Sequence, residues 1–190
     1  MITILSKIRK IERLKDCDEK DRAKMILVIL SLKPACEVLI FKKDALKSLK
    51  LGLAPLGLYV ARQKFEKKFF KMIEKAVGQR LVLPVGRYAV ARDLKTARLL
   101  SKTLPDKDHL RFGRLMGYPE SAIANFIKGG PFLDSAKAEK LFKKDCLIFN
   151  FRMSAKNYQK ELKVLKAWTF AIRDNSPYLY KKIVRIFYGR

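Results

Sequence analysis

The chain has 190 residues, 49% of them apolar, which is enough for one well-buried core and too little for several independent ones. Its 43 Lys and Arg against 18 Asp and Glu leave a formal charge of +25, which excludes a self-neutral surface and calls for a polyanionic partner. The longest apolar run, Met25 to Leu32, is far short of the roughly 20 residues of a spanning helix, so a membrane segment is not expected.

The basic excess is not confined to a tail. It runs from +4 over residues 1–34 to +9 over residues 134–190, with +7 and +5 between, which favours a folded basic surface over a disordered arm. A single domain over 1–190 is expected, with 1–34 as a helical hairpin packed on it. Cys17, Cys36 and Cys146 are odd in number and never paired as Cys-x-x-Cys, so neither a disulfide framework nor a zinc knuckle is suggested. Lys7, Arg9 and Lys10 stand where an export signal needs its apolar stretch, and a cytoplasmic location is the expectation.

In chain order, Ile4, Leu5, Ile8, Ile11 and Leu14 keep helical spacing with Lys7, Arg9, Lys10 and Arg13 between them, giving an amphipathic first helix. Asp18, Glu19 and Asp21 suit the positive end of a second helix, which reaches Leu32 and is ended by Pro34. Val38 to Phe41 reads either as a short strand or as part of a helix running on through Ala45 to Leu49. Leu58–Arg62 reads as a strand followed by a helix from Phe65 to Val77, and Tyr88–Arg92 repeats the pattern before a helix from Leu94 to Lys102. A strand–helix unit used twice argues for neighbouring strands in one sheet, with Leu81–Val85 as a strand between them.

Arg111 to Gly130 then holds two short helical patterns meeting across Gly117-Tyr118-Pro119. Glycine takes positive φ to end the first, and proline in a first turn starts the second. A Lys-rich helix from Ser135 to Lys144 precedes a last strand, Leu147–Phe151. Ser154 is expected to cap a long helix to Arg173, and Ser176-Pro177 to open a terminal one closed by Gly189. The fold class is therefore α+β, a helix-rich single domain with a small central sheet of three to five strands and an N-terminal helical hairpin. Its expected core is Ile26, Leu30, Val60, Phe69, Ile73, Val90, Leu99, Leu115, Ile123, Phe126, Ile148, Leu165 and Trp168.

Three stripes of like charge fall on these helices. Lys64, Lys68, Lys71 and Lys75 share a face of the 65–77 helix, Lys156, Lys160 and Lys163 a face of the long one, and Lys181, Lys182 and Arg185 a face of the last, beside Tyr178, Tyr180 and Tyr188. Like charges at this spacing each cost a helix roughly 0.2–0.5 kcal/mol unless an anion neutralises them. These residues are the expected nucleic-acid contacts, RNA before DNA, through phosphates and with tyrosines for stacking.

Enzyme chemistry has less support. One histidine forbids a site needing two imidazoles, and no phosphate-cradling glycine loop is present. No catalytic residue, metal or cofactor is assigned. The alternative site lies at the Gly-Tyr-Pro corner, where His109, Arg111, Arg114, Gly117, Tyr118 and Glu120 would line a mouth for a small anion or a phosphate-bearing ligand. A basic subunit of a larger protein complex is the third reading, and oligomeric state is not legible.

Phe112-Gly-Arg-Leu-Met-Gly-Tyr-Pro-Glu-Ser-Ala-Ile-Ala-Asn-Phe126 resembles the signature of an uncharacterised archaeal and bacterial family, a domain of unknown function marked by Gly-Tyr-Pro and then a cysteine pair. The order of elements from Gly57 to Asn175 is similar to that family's as well. Where the family shows cysteines this chain has Ser121 and Ala122, and where it shows a Pro-Cys-Ser element this chain has Arg152-Met153-Ser154. The resemblance implies a scaffold retained without the cysteine chemistry of its relatives.

Overall fold

The computed structural model describes residues 2–15, 17–42, 44–64, 84–134, 136–138, 140–141 and 151–189. In these the chain is helix-rich α+β: α1 (Ile4–Glu12), α2 (Glu19–Ile29), β1 (Ala35–Ile40), α3 (Ala45–Leu53), a 3-10 turn (Ala54–Leu56), β2 (Tyr59–Arg62), β3 (Gly86–Ala91), α4 (Leu94–Lys102), α5 (His109–Leu115), α6 (Glu120–Ile127), α7 (Tyr158–Asn175) and α8 (Pro177–Tyr188). The expected helix from Phe65 to Val77 lies outside the described residues. So do all but the last two residues of the Leu81–Val85 strand and all but the last of the Leu147–Phe151 strand; Pro84, Val85 and Phe151 are not in strands.

The N-terminal hairpin forms because each helix carries its own start. Thr3 accepts from the Ser6 N–H and Asp18 from the Asp21 N–H, each satisfying a donor the helix itself leaves open. The Arg22 guanidinium then fastens the turn, donating to the Cys17 and Glu12 carbonyls at 2.7–3.1 Å. Only Ile8 and Ile11 of α1 are buried, whereas α2 is buried on every side from Met25 to Ile29. A helix apolar all round belongs at the centre, and α2 packs against α1, β1, α7 and α8.

The helix α2 stops at Leu30, before Pro34, as Ser31 takes a φ of +63° and the Leu32 and Lys33 N–H groups both turn back to the Leu27 carbonyl. Pro34, expected to end α2, instead leads into a strand that begins three residues earlier than the Val38 expected from the apolar run. The two readings of Val38 to Leu49 are both realised in part, as strand β1 and then a separate helix α3.

The sheet among the described residues has the order β1-β3-β2, antiparallel throughout, with Cys36 opposite Val90 and Val60 opposite Val90 from the other side. The two Val-Ala-Arg segments are thus neighbours, as the repeated pattern suggested. Alternation sorts the strands' side chains to two faces. Cys36, Val38, Ile40, Tyr88 and Val90 join the large core around α2, while Ala35, Ala89, Ala91 and Ala61 meet Ala97 and Leu100 of α4 and Met116. An alanine face lets α4 sit close on the sheet.

Two residues expected in the core are not in it. Leu99 is 39% exposed because Ala97 and Leu100 take the sheet-facing side of α4, and Leu99 points away from them. Phe126 is 43% exposed although it follows buried Ala122 by one helical turn, because it looks into an open cleft. Leu30, Val60 and Leu115 are half-buried, while Ile26, Val90, Ile123, Leu165 and Trp168 are buried. Phe69, Ile73 and Ile148 lie outside the described residues. Ser154 does not cap α7: the helix begins at Tyr158, and the Ser154 hydroxyl holds the preceding turn by accepting from the Lys156 and Asn157 N–H groups at 3.2 Å.

Candidate functional site

The Gly-Tyr-Pro corner is built by two glycines. The Tyr118 N–H reaches the Gly113 carbonyl at 2.9 Å and the Gly117 N–H the Arg114 carbonyl at 3.0 Å, a paired termination of α5 that needs a left-handed residue, supplied by Gly117 at φ +71°. A Cβ at Gly113 would stand 2.7 Å from Ile123, so glycine is what allows α6 to cross α5 so closely. Pro119 caps α6 from just outside rather than sitting in its first turn.

The corner does not gather the six residues expected of it into one mouth. His109 and Tyr118 line a cleft of about 610 Å³ with Phe112, Ile123, Phe126, Phe151 and Arg152. Arg111 and Arg114 line a second cleft of about 410 Å³, with Pro34, Leu99 and Leu115. Helical spacing explains the separation: positions 109, 112 and 113 share one face of α5, and 111, 114 and 115 share another. Glu120 lines neither, and its carboxylate takes two hydrogen bonds from Arg114 at 2.8 and 3.1 Å. Gly117 shapes the turn and offers no ligand group. His109 is at the first position of α5, after the cap Asp108, and meets Phe126 edge-on at 4.8 Å.

Two charged residues that sequence patterning did not single out are fully buried. Lys33 is fully buried, with its ammonium nitrogen 3.8 Å from the centre of the Trp168 ring and 5.4 Å from that of Tyr118. That nitrogen has no hydrogen-bond partner. Burial pushes its pKa down to about 7, against a smaller upward pull from Cys36. Burial likewise raises the Cys36 thiol to about 12 and lifts the Tyr118 phenol above its ordinary value. Glu161, also fully buried, accepts from the Ser121 hydroxyl and from the Ser154 N–H, each at 2.7 Å. A lysine beside a proline and a glutamate in a lysine-rich helix both read as surface residues; only their tertiary neighbours say otherwise.

The lysine stripes are realised unevenly. Lys160 and Lys163 are exposed on α7, opposite the buried line of Glu161, Leu165, Trp168 and Ile172. Lys156 is exposed but precedes α7, so it does not continue that stripe. On α8, Lys181 and Arg185 are exposed, while Lys182 is half-buried and pairs with Glu19 of α2 at 2.8 Å. Burial raises the Glu19 carboxyl, but the Lys182 hydrogen bond and charge, a backbone N–H and the Arg22 charge together outweigh it and hold the group below its usual range. Tyr178 is 64% exposed beside these cations. Lys64 is exposed; Lys68, Lys71 and Lys75 lie outside the described residues.

The described acids are largely engaged in local hydrogen bonds and ion pairs, several of them at the surface. Asp18, Asp93, Asp108 and Asp134 each accept a backbone N–H at a helix start, at 2.6–3.0 Å. Asp21 is buried on Lys24 and the Leu39 N–H. Glu19, Glu37, Glu120 and Asp174 each hold a nearby cation, and Glu12 holds the Ser176 hydroxyl. Among the described residues no helix is long and apolar enough to cross a membrane, and no group of three or more His, Cys, Asp and Glu is placed to hold a metal ion. The chain matches no family model, no curated protein and no solved structure.

Proposed function

We propose that this is a cytoplasmic nucleic-acid-binding protein that grips backbone phosphates through exposed lysines and arginines, with RNA preferred to DNA. The observation that carries the reading is the excess of cations and their exposure. A net +25 remains after all 18 carboxylates are counted, and Lys160, Lys163, Lys181 and Arg185 carry part of it on exposed positions of α7 and α8. Lys160, Lys163, Lys181 and Arg185 on α7 and α8 are the proposed phosphate contacts, and Lys64 with the 68–75 stripe is a further one. A single strand is favoured because Tyr178 and Phe126 stand exposed and unpaired bases stack on such rings, and RNA is put before DNA because its loops and bulges present unpaired bases.

The test is the salt dependence of binding to a labelled single-stranded RNA. Each phosphate contact contributes about 0.7 to the negative log–log slope for a single strand, so a slope steeper than about −2 is expected. A slope near zero overturns the proposal. Release of all partners on nuclease treatment of the purified protein separates it from a basic subunit held by protein contacts.

A further inference from the structure

We propose that the aromatic cleft between α5 and α6 is a nucleobase site, taking one unstacked base of a single-stranded nucleic acid while the surrounding cations hold its phosphates. The inference rests on the nucleic-acid reading above and adds to it a defined place for a base.

The cleft draws Phe112 from α5, Tyr118 from the corner, Phe126 from α6 and Phe151 from the segment before α7, with His109 edge-on to Phe126. Tyr118 and Phe151 are themselves 5.2 Å apart and tilted, so the lining presents both faces and edges of rings. Its volume of about 610 Å³ lies within the ordinary range for a small-ligand site and admits a base with its sugar. An acyl chain or an aliphatic side chain would fill such a space equally well by area, but neither requires five rings. What selects a base is the combination of π faces with charge: Arg152 is exposed at the lining, and the molecule as a whole attracts anions. Asp106 and His109 are the polar groups able to meet a base edge. Phe126 is the informative residue. Its ring is 43% exposed on a helix whose neighbouring Ala122 and Ile123 are buried, so an apolar surface is left open where a stacked base would cover it.

Because Phe126 is already open to water, replacing it does not empty a packed core, and Phe126→Leu keeps apolar bulk while removing the π face. Binding is measured by anisotropy for a single-stranded RNA about ten nucleotides long, an abasic strand of equal length, inorganic polyphosphate and AMP. The parent is expected to bind the RNA about 5- to 150-fold more tightly than the abasic strand, the span of one base–ring stack of ~1–3 kcal/mol. Phe126→Leu and Phe126→Ala should erase most of that ratio while leaving polyphosphate affinity and the salt slope unchanged. AMP competing for the cleft with the same dependence on Phe126 would support the site and make the free nucleotide its ligand. Equal affinities for RNA and abasic strand, or a ratio indifferent to both variants, overturns the base site with phosphate binding intact. Failure of RNA, abasic strand and polyphosphate alike would instead overturn the nucleic-acid reading itself.

Discussion

At the scale of single residues, Lys33 carries the sharpest consequence. Desolvating an ammonium costs several kcal/mol, whereas the face of a buried ring returns about 2 kcal/mol, so the Trp168 contact reduces the penalty without cancelling it. With a folded-state pKa near 7 and an unfolded value of 10.5, the unfolded chain binds the extra proton between those limits. Lys33's contribution to stability therefore rises with pH across that window and is most unfavourable at or below pH 7. Lys33→Met, similar in volume and uncharged, is expected to stabilise the protein at pH 6 by on the order of 1–4 kcal/mol. That advantage should shrink by about 1.4 kcal/mol per pH unit above 7. Thermal melts at pH 6 and pH 9 decide it; an advantage independent of pH would show that the amine is not held neutral by burial.

At the scale of elements, Glu161 shows how α7 is tied to the corner. One carboxylate joins Ser121 on α6, Ser154 before α7 and α7 itself. Ser121 is thereby given a role that its motif did not suggest: it donates to a buried acid. Ser121→Ala leaves one carboxylate oxygen without that donor and is expected to cost about 1–3 kcal/mol in urea denaturation, with Glu161→Ala costing more because it also opens a cavity. Neither should alter the salt slope of RNA binding, because neither side chain belongs to the exposed cationic surface. Unchanged midpoints in both variants would show that the Ser121–Glu161–Ser154 link contributes nothing.

For the whole molecule, the distribution of charge matters more than any one contact. Acids sit at helix starts, on a buried backbone donor and in ion pairs, and Lys160 and Lys163 of α7 face water. Replacing Lys160 and Lys163 together by Gln should leave the melting temperature unchanged or slightly higher, since it relieves repulsion along α7. It should also flatten the salt slope by about 0.7 for each phosphate that is no longer held, whatever the base sequence. A slope equal to the parent's would take α7 off the binding surface. Lys182→Gln is the contrasting case, because that ammonium is already paired with Glu19 and its removal should move stability more than the slope.

Residue order alone was enough for the features that depend on near neighbours. The first hairpin, the helix from Leu94 to Lys102, the terminal helix between Pro177 and Gly189 and the turn at Gly117 all follow from caps, periodicity and positive φ, whose causes lie within a few residues. The adjacency of the two Val-Ala-Arg strands was legible from their repeated pattern. Tertiary structure decided what depends on distant segments meeting. It sent Arg111 and Arg114 to a different cleft from His109 and Tyr118, left Phe126 and Leu99 in solvent, and buried Lys33 and Glu161 beneath side chains far away in the chain. The physical reason is that periodicity states which residues share a face, whereas burial depends on what the rest of the chain brings against that face.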